Sequence, residues 1–377
     1  MKLLLITQVF LFSWLFQLRS QTDAVLSSVY LIGNTGLDTI PSEAMQLLAF
    51  ECFDDTSSVV VMLGDNVFPA GISANSRSAN ARISARKLVS QFEMFVGFTG
   101  HFFVIPGDMD WRAGRSTGYS AILEQERLTN NWFKNSIVEN RAQDAFLPSG
   151  GLPGPTHCDL PNSIRLIFLD TQWFLHRGLF KHRPRYPELT LRQSREQSLL
   201  RLDSLIKSGV DAGYLNIVLG HHPVLSNGRH THVLEPIRSL VNYSPFQIFG
   251  LLGLNRFLSQ DLAQPSYRKL RKRLHFVFSE YPGTIYASAH ENNMQAFVKD
   301  SVYYLVSGSG ALSSQLDRYR YPAIFMDDLQ AGFLKLTLHQ SGAVYLHAYG
   351  VTDRGEYWKK LLPFASDLMI NKNKEEP

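Results

Sequence analysis

Phe102-Phe103-Val104-Ile105-Pro106-Gly107-Asp108-Met109-Asp110-Trp111 is an apolar run that stops at a proline-glycine pair and then places two carboxylates close together. Four β-branched or aromatic residues followed by a breaker predict a buried strand emptying into a polar loop. The pattern recurs on both sides. Residues 29–32 end at Gly33-Asn34-Thr35-Gly36, residues 59–63 at Gly64-Asp65-Asn66-Val67-Phe68, residues 166–169 at Asp170, and residues 217–219 at Gly220-His221-His222-Pro223. Farther along comes Ala289-His290-Glu291-Asn292-Asn293. Helical candidates at 42–50 and 79–95 separate the first three runs, which predicts an α/β layered fold. Strand-end loops in such folds are where sites are built. A β-hairpin is expected at 333–338 and 343–349, followed by a C-terminal tail over 351–377.

In this order and spacing the five loops resemble the metal-binding blocks of the calcineurin-like metallophosphoesterases, close to the purple acid phosphatase branch. The family forms are G-D-x-G, G-D-x-x-Y, G-N-H-D or G-N-H-E, G-H-x-P and G-H-x-H. Phe146-Leu147-Pro148 with Pro153-Gly154-Pro155, Leu169-Asp170-Thr171-Gln172-Trp173 and Val306-Ser307-Gly308-Ser309-Gly310 also resemble a bacterial envelope branch of that family. The resemblance covers residues 27–350. It implies two mixed β-sheets packed as a sandwich and flanked by helices, with the five loops converging at one end. It also implies two ions that share a carboxylate and activate a water for phosphoester hydrolysis.

Carried over residue by residue, that implied chemistry is incomplete. Asn34 replaces the first-block carboxylate, Phe68 the phenolic ligand, and Asn292 the second imidazole of the last block, so one ion keeps only Asp65. The other retains Asp65, Asp108, His221 and His290, a mixed carboxylate and imidazole set suited to one zinc, manganese or iron ion. Met109 stands where the family has the histidine that contacts phosphate, and a thioether cannot donate a proton. A four-residue remnant held by hydrogen bonds alone is the competing reading of the ligand set. His222 is expected to support its loop by stacking, and His230 with His232 to lie on an exposed loop.

Composition narrows the setting. The formal charge is +4, falling to +2 without Lys2 and Arg19, too little for a surface that tracks phosphates, so nucleic acid is excluded as a default partner. Two cysteines, Cys52 and Cys158, rule out a disulfide scaffold and allow one bridge. Lys2, an apolar run and Ser20 form a secretory signal pattern over 1–20, which predicts export to the periplasm or cell surface. An insert at 240–275 joins an unusually apolar stretch, 243–258, to a basic one. The first is either a cap on its own domain or a docking surface for a membrane or protein partner.

Two functions stay open on these grounds. One is a non-catalytic binding or scaffold subunit of an envelope, outer-membrane-associated complex. The other is a phosphomonoesterase or phosphodiesterase working slowly through a reduced single-metal site.

Overall fold

The computed structural model describes residues 23–73, 78–135, 144–176, 188–228, 265–316, 321–352 and 354–365. The signal pattern at 1–20, the apolar stretch 243–258, His230 and His232 lie outside the described residues. In chain order the first strands are β1 (Val25–Ile32), β2 (Ser58–Met62), β3 (His101–Val104), β4 (Thr156–Leu160), β5 (Ile164–Phe168) and β6 (Leu215–Leu219). They are followed by β7 (Ile285–Ser288), β8 (Met294–Lys299), β9 (Val302–Ser307), β10 (Phe325–Asp327), β11 (Ala331–His339), β12 (Val344–Val351) and β13 (Tyr357–Ala365).

These strands form a six-stranded sheet ordered β13-β12-β11-β1-β2-β3 and a seven-stranded sheet ordered β10-β8-β9-β7-β6-β5-β4. β1, β2 and β3 run parallel, as do β5, β6, β7 and β9, so both sheets deliver strand ends to one edge of the sandwich. Alternation along β1 shows the layering. Val29 and Leu31 meet Leu166, Phe168, Ile217 and Leu219 between the sheets, while Tyr30 and Ile32 turn outward under a helical layer. Strands covered on both faces read as continuous apolar runs, which is why they stood out in the sequence.

Helices cover both outer faces. α1 (Glu43–Cys52) starts where the Ser42 side chain accepts the Met45 N–H, and it buries Ala44, Met45, Leu48, Ala49 and Cys52 against the six-stranded sheet. α2 (Ala79–Glu93) is capped in the same way by Ser78, and α3 (Gly118–Asn135) packs beside it. The short α4 (Thr171–Leu175), α5 (Leu191–Asp211) and α6 (Pro265–Ser279) cover the seven-stranded sheet. α5 opens with a capping box between Thr190 and Gln193. Among the described residues no helix is long and apolar enough to cross a membrane.

The expected hairpin is present as β11 and β12, with Phe333 opposite Tyr349. The tail boundary at 351 is corrected: residues 357–365 form β13, the outermost strand of the six-stranded sheet. Trp358, Leu362 and Phe364 pack on the cluster between the sheets, while Tyr357 and Leu361 are exposed. Lys359 and Lys360, both exposed, interrupt that alternation in the sequence. Cys52 lies on α1 and Cys158 on β4, and no bridge joins them.

Candidate metal centre

Asn34 follows β1, Asp65 follows β2, Asp108 follows β3, His221 follows β6 and His290 follows β7, so the five loops gather at one end of the sandwich. Asn34, Asp65 and His290 have φ of 56°, 56° and 62°. Left-handed backbone at three non-glycine residues of one site is local strain held in place by the surrounding loops. Close approach of those loops depends on glycine. A Cβ on Gly107 would lie 2.2 Å from Asp65 Oδ1, and one on Gly308 would lie 1.8 Å from the Glu291 carbonyl oxygen.

Asp108, His221 and His290 bring one oxygen and two nitrogens within 4.8 Å of one another, and all three residues are buried. His221 Nε2 and His290 Nδ1 each lie 3.0 Å from Asp108 Oδ1, and 3.3 Å from each other. His221 Nδ1–H donates to the Leu63 carbonyl at 2.8 Å, which fixes the tautomer and leaves Nε2 facing the carboxylates. The fourth expected ligand, Asp65, stands slightly apart. Its Oδ1 is 3.5 Å from His221 Nε2 and also accepts the Met109 N–H at 2.9 Å.

The electrostatics are those of a cation site carrying protons. Burial, reinforced by Asp108, pushes the Asp65 carboxyl up to about 7. Burial opposes charge on Asp108 too, but His290 and His221 outweigh it and hold that carboxyl well below the usual carboxylate range. For His221 burial again works against charge, yet Asp65 and Asp108 push it up to about 9. Asp65 and His221 therefore favour retaining their protons, which a divalent ion would displace. This donor set fits one such ion.

The other half of the centre offers an ion only weak, neutral ligation, with Asn34 Oδ1 the buried oxygen left without a hydrogen-bond partner there. Asn34 Nδ2 donates to Asn292 Oδ1 at 2.8 Å, so two positions that would face a cation in the family bond to each other as neutral amides. Phe68 has no ligand atom, and Met109 is buried with its backbone N–H committed to Asp65.

Supporting residues were less visible in the sequence. Buried Asp110 accepts N–H groups from Gly107 (2.8 Å), Val67 (3.1 Å) and Asn66 (3.2 Å), tying the second loop to the third. Burial raises its pKa against those hydrogen bonds. Asp170 caps α4 and accepts the Trp111 indole N–H at 2.7 Å, linking the third loop to β5. His222 behaves as expected: a hydrogen bond joins its Nδ1 to Thr171 Oγ1 at 2.8 Å, and its ring lies 4.5 Å from that of His290. In the sequence, only the position of Asp110 and Asp170 beside the ligand loops signals this role.

Neither protein-family profiles nor curated protein sequences match the chain. Solved structures do. PhoD aligns at 12% identity over 91% of this chain and 69% of its own, with a TM-score of 0.53. GAP50, the anchor in the inner membrane complex of Plasmodium, aligns at 16% identity over 91% of this chain and 90% of its own, with a TM-score of 0.50. With two mixed sheets flanked by helices and five loops meeting at one edge, the chain has the calcineurin-like metallophosphoesterase fold.

Proposed function

We propose that this protein is an exported, non-hydrolytic member of the metallophosphoesterase fold that serves as a scaffold subunit of a membrane-associated envelope complex. The observation that carries the reading is the Asn34–Asn292 hydrogen bond, a neutral pair in the half of the centre where the second ion of a dinuclear hydrolase would sit. Positioning and electrostatic stabilisation supply most of phosphoryl-transfer catalysis, and this chain lacks both the second ligand set and the proton donor at Met109. Asp108, His221 and His290, with Asp65 beside them, hold at most one zinc, manganese or iron ion, whose role is structural. GAP50 shares the fold and is an anchor in a membrane complex, which lends the scaffold role support by analogy. Secretion rests on the signal pattern at 1–20, and N-terminal sequencing of mature protein beginning near residue 21 tests it.

The second reading, a slow esterase with one ion, is favoured by the burial and convergence of the three ligands. Elemental analysis and assays with p-nitrophenyl phosphate and its diester decide between them. The scaffold reading expects turnover far below about 1 per second at any metal loading. Turnover at or above that rate, abolished by Asp108→Asn, overturns it.

A further inference from the structure

We propose that copies of this chain associate head to tail, the basic outer stripe of α6 seating in an acidic, aromatic groove at the C-terminal end of α1. The groove holds about 500 Å³ and is lined by Ala49, Phe50, Glu51, Phe53, Asp54 and Met94. Phe50 is 75% exposed and Phe53 50%. Neither belongs to the α1 stripe that packs on the sheet, so the fold does not require large apolar side chains there. The last turn of α1 carries no basic residue, so its carbonyl end adds to the negative field of Asp54 and Glu51, the latter also facing the partly buried Lys335.

α6 has the complementary character. It buries Tyr267, Leu270, Leu274 and Phe278, and its arginines at 271 and 273 are engaged by the Val224 carbonyl and the Glu196 carboxylate. Arg268, Lys269, Lys272 and Phe276 are exposed and fall along one stripe, with Phe276 67% exposed. One aromatic anchor ringed by three positive charges matches an apolar groove with a negative rim, the arrangement in which a central aromatic carries affinity and charges set register.

Location supplies the head-to-tail geometry. α1 lies outside the six-stranded sheet and α6 outside the seven-stranded one, so groove and stripe occupy opposite faces of the sandwich. Two different patches in contact make a heterologous interface, which leaves one groove and one stripe over and therefore extends into a row or closes into a ring. Such repetition goes beyond the scaffold reading and does not depend on the metal centre.

Sedimentation velocity of the purified full chain, from low micromolar to several hundred micromolar, tests the proposal. The expected result is a mass that rises with concentration and falls with added salt, since screening shortens to about 3 Å at 1 M. Glu51→Lys with Asp54→Lys weakens association at least about tenfold, and so does Lys269→Glu with Lys272→Glu. Mixing the two reversed chains restores it, because the natural stripe of one then meets the natural groove of the other and the altered groove meets the altered stripe. Phe50→Ala and Phe276→Ala, at exposed positions, weaken association with unchanged melting temperatures, which keeps the test decisive if a reversed chain folds poorly. A monomer at every concentration overturns the proposal, as does association that survives the Phe50→Ala and Phe276→Ala changes. Mass is the readout, so failure leaves the metal-centre reading standing.

Discussion

Asn34 Nδ2 donates to Asn292 Oδ1 at 2.8 Å, joining residues 258 apart in sequence across the open end of the two sheets. A carboxylate and an imidazole at these positions would leave a charge to be balanced by a cation. The two amides carry no charge and share one hydrogen bond, which leaves the buried Asn34 Oδ1 without a hydrogen-bond partner.

Restoring the ligand types should therefore restore the ion. Asn34→Asp, Phe68→Tyr and Asn292→His combined are expected to raise the metal content of dialysed protein from at most one divalent ion per chain to about two. His221→Ala should abolish binding by the unaltered centre, whereas Asn34→Ala should leave it intact. Two tightly bound ions in the natural sequence would contradict the amide pair as a closed half-site.

Asp110 is expected to matter more to stability than its neighbours in the loop. Its carboxylate accepts three buried backbone N–H groups, from Gly107, Val67 and Asn66. Asp110→Ala strands those donors, at a cost of about 3 kcal/mol in urea unfolding with an unchanged m value. Asp110→Asn, which keeps one acceptor oxygen, should lose less. Equal, small losses for both would show that the loops hold together by other means.

His347 should make the six-stranded sheet sensitive to acid. Burial, then Lys359 and Lys335, push its imidazole down to about 4 from the ordinary 6.5. The folded state thus prefers the neutral ring. Its contribution is fully present above about pH 6.5, the unfolded value, and is lost as pH falls from there through about 4. His347→Gln is expected to flatten the melting temperature across that window relative to the natural protein. Parallel profiles would remove His347 as the cause.

The sequence exposed those parts of the fold whose signal is local. β2, β3, β5 and β6 are buried on both faces, and each announced itself as an apolar run ending at a loop. β8 and β9 did not, because Asp300 and Ser301 turn between them at φ of 51° and 57° without a glycine to mark the reversal. At the centre, Asp108, His221 and His290 were legible from block order and side-chain type. The Asn34–Asn292 bond was not, since two asparagines in distant loops carry no mark of their proximity. Nor was the hydrogen bond by which the Asp65 carboxylate accepts the Met109 N–H.

Asp108 comes from the six-stranded sheet, and His221 and His290 from the seven-stranded one, 113 and 182 residues farther along the chain. An ion at this point is a rivet through both plates of the sandwich, and its binding free energy opposes their separation. The rivet also has an understudy. Both imidazoles already lie within hydrogen-bonding distance of the Asp108 carboxylate, so hydrogen bonds also tie the two sheets at this point. An ion bound there would make the plates harder to part than the hydrogen bonds alone do.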